Sequence, residues 1–234
     1  MTLRPDDLVR VRAIGLFADA ADETFRDLIS GAYLQRFPAQ TTLIQEGDAT
    51  DFLHVLMQGS VELVGTWNDK EMSLGLMEPV AVFVLAAVAL DAAALTTAET
   101  RQRSEVLMLP AAAVRRAMAT DPAFCFAATR EMATAYEAMV RSIKNQKLRG
   151  GIERLANYLV TEQSRQGVDT ITLHHEKRVL ASLLGMTPEN LSRAFSALAD
   201  YGVTVQGAHV TIGLPKALTR LAKPTPLIDR PSAA

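Results

Sequence analysis

The chain has 234 residues, 49% of them hydrophobic and 21% charged, a balance that folds rather than staying disordered. Its single cysteine excludes a disulfide framework and any four-cysteine zinc or iron–sulfur site within one chain. The net charge of −2 hides an asymmetry: residues 1–140 carry 11 Lys/Arg against 19 Asp/Glu, a balance of −8, and residues 141–223 carry 12 against 6, a balance of +6. An acidic front and a basic back suit a chain whose one end meets a polyanion.

Met1–Arg12 holds Arg4, Asp6, Asp7, Arg10 and Arg12 without an apolar core, so it does not read as a signal peptide. The longest apolar run, Pro79–Leu90, falls short of the roughly 20 residues that a membrane helix needs. A cytoplasmic protein with no membrane partner is expected. Asp22 precedes a short helix, Thr24–Ile29, with Phe25, Leu28 and Ile29 on one face. Short apolar segments follow: Thr41–Ile44, Phe52–Met57, Val61–Val64, Met72–Met77, Val80–Val88 and Val106–Leu109. Turn residues such as Glu46-Gly47-Asp48 and Gln58-Gly59 break them at close intervals, which predicts a sandwich or barrel.

The texture changes at Pro110. Ala111–Met118 reads as a short helix, and Asp121-Pro122 opens a long one that nothing breaks until about Leu148. Cys125, Met132 and Met139 recur every seven residues, as do Ala128, Ala135 and Ser142. Interleaved, the two series predict a narrow seam, and a parallel homodimer is its economical partner. Gly150-Gly151 then reads as a hinge.

Beyond it, Ile152, Leu155, Ala156 and Leu159 follow at helical spacing to about Gly167, before a short strand, Ile171–Leu173. Two helices, Lys177–Leu184 and Pro188–Ala199, are joined by Gly185-Met186-Thr187, and Tyr201-Gly202 closes the second. Val203–Val205 and His209–Ile212 form a hairpin, and Pro224, Pro226 and Pro231 mark a tail expected to be disordered.

Two helices about a short Gly-containing turn form the arrangement that offers one helix to a DNA major groove. Leu191, Ala194, Phe195 and Leu198 make the buried stripe of the second helix, leaving Glu189, Asn190, Ser192 and Arg193 outside. Thr187 at the N-cap and Pro188 at the first helical position fix its start. Arg193 can donate twice to guanine and Glu189 can accept from a cytosine amino group. Ser192, Thr187 and the nearby cation Lys177 can reach phosphates or base edges, with the hairpin as a wing on the backbone.

The order of roll, long helix and winged helix–turn–helix resembles the cyclic-AMP receptor/fumarate-nitrate regulator (Crp/Fnr) superfamily of transcription factors, from about Leu16-Phe17 to Leu221. The motifs that carry it are Glu46-Gly47-Asp48, Phe52–Gly59-Ser60-Val61 and Leu180–Arg193. The resemblance implies an α+β chain: a β-roll sensor domain over 1–121, a dimerisation helix over 122–149, a winged helix–turn–helix domain over 150–223 and a tail over 224–234. It implies a regulator rather than an enzyme, with double-stranded DNA, a second copy of the chain and RNA polymerase as partners. Glu189, Ser192 and Arg193 match the Glu-x-x-Ser-Arg pattern of the fumarate-nitrate branch, which implies a palindromic TTGAT-like target.

The family's cyclic-nucleotide sensors use a Gly-Glu pair and an Arg for the phosphate. Here the Gly-Glu is absent from Val82–Ala86 and Thr96 replaces the Arg, so cyclic AMP is not expected. An iron–sulfur cluster is not expected either, since Cys125 is alone. The apolar run with Val82, Val84, Ala86 and Leu95 is similar to the dissimilative-nitrate-respiration subgroup, for which haem b in a hydrophobic pocket and nitric oxide are implied. His54, Met72 and Met77 are the candidate iron ligands, His54 first among them, while His174, His175 and His209 fall in the DNA-binding half. One rival is a family member without a ligand, controlled by abundance or by oxidation of Cys125. Another is a metal-dependent cupin-like enzyme, for whose His/carboxylate triad the roll supplies a single histidine, His54.

Overall fold

The computed structural model describes residues 3–68, 70–173 and 176–229, which form two compact units, 1–135 and 136–234. The division falls inside the long helix, at Ala135–Tyr136, and not at Gly150. No helix among the described residues is long and apolar enough to cross a membrane.

In the first unit, α1 (Pro5–Arg12) and α2 (Asp22–Ser30) precede the strands β1 (Tyr33–Phe37), β2 (Thr42–Ile44), β3 (Phe52–Gln58), β4 (Val61–Trp67), β5 (Lys70–Met77) and β6 (Ala81–Phe83). A short helix α3 (Leu85–Leu90), strands β7 (Thr97–Thr100) and β8 (Ser104–Pro110), helix α4 (Ala111–Thr120) and the start of α5 (Pro122–Leu148) complete it. The strands form two antiparallel four-stranded sheets, β1-β8-β3-β6 and β2-β7-β4-β5.

β3 is buried on both faces, which is why its sequence does not alternate. Leu53, Val55 and Met57 join Leu107 and Leu109 in a core that also holds Val114 and Phe124 from α4 and α5. The opposite side of β3 sends Leu56 into a second core with Val61, Phe83 and Val106, drawn from both sheets. Asp121 caps α5 by accepting the amides of Ala123 and Phe124 at 2.9 and 3.1 Å.

The run Val80–Val88 is not one strand. β6 ends at Phe83, Val84 takes a left-handed φ of 58°, and α3 begins at Leu85. Left-handed backbone is rare for a β-branched residue, so the sequence gives no sign of this break. Two strands that the sequence leaves unmarked complete the sheets, β1 at the edge of one and β7 between β2 and β4 in the other.

The second unit contains the end of α5, then α6 (Gly151–Gln166), β9 (Thr170–Thr172), α7 (Lys177–Leu183) and α8 (Pro188–Ala197). A 3-10 turn, Leu198–Tyr201, leads to β10 (Val203–Gln206), β11 (His209–Ile212), α9 (Pro215–Ala222) and α10 (Pro226–Asp229). The strands pair as β10-β11-β9. Gly202 sits at φ 77°, and a Cβ there would lie 2.7 Å from the Leu214 side chain, so glycine is required at this turn. Leu155, Leu159, Leu180, Leu191 and Leu198 meet in one core. Of the tail expected to be disordered, Pro224–Asp229 is ordered and carries α10, while residues 230–234 lie outside the described residues.

Candidate nucleic-acid interface

α8 is fixed at its start and along one side. Thr187 Oγ1 accepts the backbone amide of Asn190 at 3.3 Å, and Pro188 occupies the first turn. Leu191, Ala194 and Phe195 are buried in the core of the unit. That leaves Thr187, Pro188, Glu189, Asn190, Ser192 and Arg193 exposed together on the outer face, with Lys177 exposed at the first position of α7.

No ion pair within 4 Å joins Glu189 to Arg193, so their spacing does not consume either charge. The Glu189 carboxyl is held below its ordinary range by its own backbone amide, then by the Thr187 hydroxyl, with a smaller contribution from the Arg193 charge. It is therefore an ionised acceptor at neutral pH, beside an arginine free to donate. An open groove of about 510 Å³ brings Asn190 and Arg193 together with Gly151, Arg154 and Met186. β10 and β11 form the expected hairpin, turning at Gly207 with Thr204, Gln206 and His209 exposed along it.

Arg154 was invisible to the sequence reading except as one more positive charge. Its guanidinium donates to the carbonyls of Leu184 at 2.7 Å and Gly185 at 3.2 Å in the helix–turn–helix turn. It also donates to those of Arg149 at 2.6 Å and Gln146 at 3.3 Å, at the end of α5. The intended hinge is thus bridged. Gly150 itself has ordinary angles, φ −68° and ψ 161°, and its amide donates to Glu153 at 2.9 Å.

The residues assigned to a sensor pocket do not converge. Val82 packs against the helix-facing core and Val84 against the core between the sheets. Ala86 is exposed and Leu95 is 84% exposed. His54 alone has the properties of a ligand-facing group. It is 3% exposed, stacks on Phe83 with ring centroids 5.2 Å apart, and neither ring nitrogen has a hydrogen-bond partner. Burial lowers its pKa to about 4; the Phe52 backbone opposes the shift without making a hydrogen bond of ordinary geometry. Among the described residues no group of three or more His, Cys, Asp or Glu side chains is placed to hold a metal ion.

Of the predicted seam, Ala128 is fully buried in the core of its own unit, Cys125 and Met132 are half-buried, and Ala135, Met139 and Ser142 are exposed. The large apolar side chains of α5 that face out are Phe126, Tyr136, Met139, Ile143 and Leu148, and of these Tyr136, Met139 and Ile143, 65%, 54% and 51% exposed, share one face. Met132, Tyr136, Met139 and Ile143 follow one another at spacings of four, three and four, so the apolar stripe is rotated from Ala135/Ser142 toward Tyr136/Ile143.

Comparison with known proteins extends this geometry. Residues 34–121 match the cyclic nucleotide-binding domain family, and residues 153–221 match the Crp-like helix-turn-helix domain family. The chain belongs to the Crp/Fnr family of DNA-binding transcription regulators. Its fold is shared with FixK2 from Bradyrhizobium japonicum, at 18% identity over 83% of this chain and 98% of that one, with a TM-score of 0.69. The c-di-GMP responsive global regulator CLP from Xanthomonas campestris matches at 17% identity over 82% and 99%, with a TM-score of 0.70. DNR from Pseudomonas aeruginosa matches at 18% over 94% and 100%, with a TM-score of 0.51. No curated protein matches the chain. As a Crp/Fnr member it is a regulator and not an enzyme, and the Crp-like module of this regulator contains the whole α7–turn–α8 face.

Proposed function

We propose that this Crp/Fnr regulator acts as a homodimer on a palindromic TTGAT-like site, inserting α8 of each copy into successive major grooves. The observation that carries the reading is the state of the outer face of α8: Asn190, Ser192 and Arg193 are exposed without side-chain partners, while the inner face is locked in the core. The helix backbone is already ordered and these side chains have no internal contact to break on meeting base edges. Two inverted half-sites about one helical turn, ~34 Å, apart would present both copies of α8. The exposed stripe Tyr136–Ile143 supports the second copy, and RNA polymerase is the further partner that the family resemblance implies.

In this reading the sensor unit answers nitric oxide through haem b, whose iron His54 would hold. A buried imidazole that is neutral at pH 7 and has both nitrogens unpartnered is in the form that binds iron, and the apolar core around it excludes water. Haem would supply the gas-binding iron; the chain supplies the imidazole. Cyclic AMP is not part of the reading, because the family's Gly-Glu pair and phosphate Arg are missing at Val82–Ala86 and Thr96.

Fluorescence anisotropy with an inverted TTGAT duplex and a scrambled duplex tests the DNA reading: a preference for the first supports it, and equal affinities at matched salt defeat it. For the sensor, wild-type protein and His54→Ala are reconstituted with haem. A Soret band that shifts with nitric oxide and disappears in the variant is expected, and no stoichiometric uptake by the wild type removes haem from the reading.

A further inference from the structure

The C-terminal segment Pro224–Asp229 lies in the second unit as a strap along the last turns of α5. Arg149 donates to both carboxylate oxygens of Asp229, at 2.5 and 2.6 Å, with only 7% of the arginine side chain exposed. The same guanidinium reaches Asn145 Oδ1 and the Lys223 carbonyl, each at 3.1 Å, and the Asp229 carboxylate also accepts the Thr225 amide at 2.7 Å. Two further cations of α5 hold the strap by its backbone. Arg141 donates to the Pro226 carbonyl at 2.5 Å and Lys144 to that of Leu227 at 3.3 Å.

Arg141 and Asn145 share one face of α5, roughly opposite the exposed Tyr136, Met139 and Ile143, and Arg149, one residue past the helix end, reaches back to Asn145 on that face. The strap therefore grips the helix on one side and leaves its apolar stripe free. From the same helix end, Arg154 carries the connection on to Leu184 and Gly185, two residues before the N-cap of α8. Glycines that would otherwise act as a swivel are spanned on one side by Arg149–Asp229 and on the other by Arg154.

We infer that Asp229 and Arg154 are positioning residues for DNA reading: the C-terminal strap and the Arg154 bridge fix the setting of α8 relative to the end of α5. The chemistry of the pair suits the task. Burial is the largest single influence on Asp229 and opposes its charge, but the Arg149 guanidinium, the Thr225 amide and the Arg141 charge together hold the carboxyl below its ordinary range, while Asp229 raises the Arg149 value. A two-point guanidinium–carboxylate contact fixes orientation as well as distance, which a single hydrogen bond does not. Any displacement of the end of α5 is then passed to the turn that starts α8.

The inference rests on the proposed role of α8 only for its DNA readout. The test is hydrogen–deuterium exchange of the full-length wild type and Asp229→Asn, followed by anisotropy on TTGAT and scrambled duplexes. Asn keeps the shape of the side chain and removes its charge. Exchange at Gly150–Ile152 and at Met186–Asn190 is expected to accelerate about tenfold, with the core of α6 unchanged. TTGAT affinity is expected to fall about tenfold while scrambled-duplex affinity stays the same. Unchanged exchange at Gly150–Ile152 overturns the strap. Faster exchange there with Met186–Asn190 unchanged, or with the TTGAT preference retained, overturns the positioning role and leaves only local stability. If Asp229→Asn exchanges globally, Arg141→Gln loosens the same strap at the Pro226 carbonyl and must give the same pattern at smaller amplitude. A wild type that does not distinguish the duplexes defeats the DNA reading, while Met186–Asn190 exchange still decides whether the strap sets α8.

Discussion

The His54 imidazole lies against the Phe83 ring, centroids 5.2 Å apart and planes 20° from parallel, with both of its nitrogens buried and unpartnered. The folded protein therefore holds this histidine neutral, with a pKa lowered by burial from 6.5 to about 4. Unfolded chains take up the proton once the pH drops below 6.5, whereas the folded protein does so only near 4. Stability is thus fully present above pH 6.5 and is lost as the pH falls toward 4, by about 3 kcal/mol from this group. Denaturant unfolding of wild type and His54→Phe at pH 7, 5.5 and 4 reads this directly. Relative to the variant, the wild type should lose about 3 kcal/mol between pH 7 and pH 4, and parallel curves would show that His54 is not held neutral.

Arg193 and Lys177 are both exposed cations of the helix–turn–helix, yet they should fail differently. Arg193→Ala removes a two-point donor from the reading face and should cost about 1–3 kcal/mol on a TTGAT duplex with little change on a scrambled one. Lys177→Ala removes one phosphate contact at the start of α7, so it should weaken binding to both duplexes alike and lower the salt slope by about one. Equal losses on both duplexes for Arg193→Ala would move it from base reading to backbone contact.

The recognition helix was legible because each of its signals is local. The Thr187 cap, Pro188 in the first turn and the buried spacing of Leu191, Ala194 and Phe195 all lie within a few residues. What escaped the sequence depends on distant partners. Asp229 meets Arg149 across 80 positions, and Arg154 meets Leu184 across 30, so neither pair has a spacing to recognise. Pro215 and Pro226 each open a short helix, and only their packing distinguishes that use of proline from a chain break. α3 was hidden inside an apolar run whose period cannot separate strand from helix, and its boundary is a left-handed valine that no propensity favours. The exposed apolar stripe of α5 was half visible: the heptad pattern picks out Met132 and Met139, but only the burial of Ala128 in the chain's own core shows which neighbouring series is free.

Arg101 bridges two carboxylates of neighbouring strands, pairing with Glu62 on β4 and with Glu99 on β7, which stand opposite each other in the sheet. The Glu62 side chain is 4% exposed, so without its arginine the charge would be buried alone. Arg101→Ala should destabilise the sensor unit by about 2 kcal/mol, less than for a fully buried pair because the arginine reaches solvent. Adding Glu62→Gln should recover much of that loss by removing the uncompensated charge. If the double variant is no more stable than Arg101→Ala, the arginine acts through packing of its stem and not through the carboxylate.

The position of the apolar stripe on α5 decides how two copies would meet. A seam through Ala128, Ala135 and Ser142 would have to expose Ala128, which is fully buried within its own unit. One through Met132, Tyr136, Met139 and Ile143 needs no such rearrangement and covers three large exposed side chains. Ile143→Glu would place two like charges across that contact, and it should raise the dimer dissociation constant at least about a hundredfold in sedimentation velocity, equivalent to about 3 kcal/mol. Ser142→Glu, one position away and outside the rotated stripe, should change it less than about threefold. Dissociation by Ser142→Glu with a stable Ile143→Glu dimer would restore the Ala135/Ser142 seam, and because a monomer presents one α8 instead of two, the dissociating variant should also lose its preference for the inverted over the single half-site.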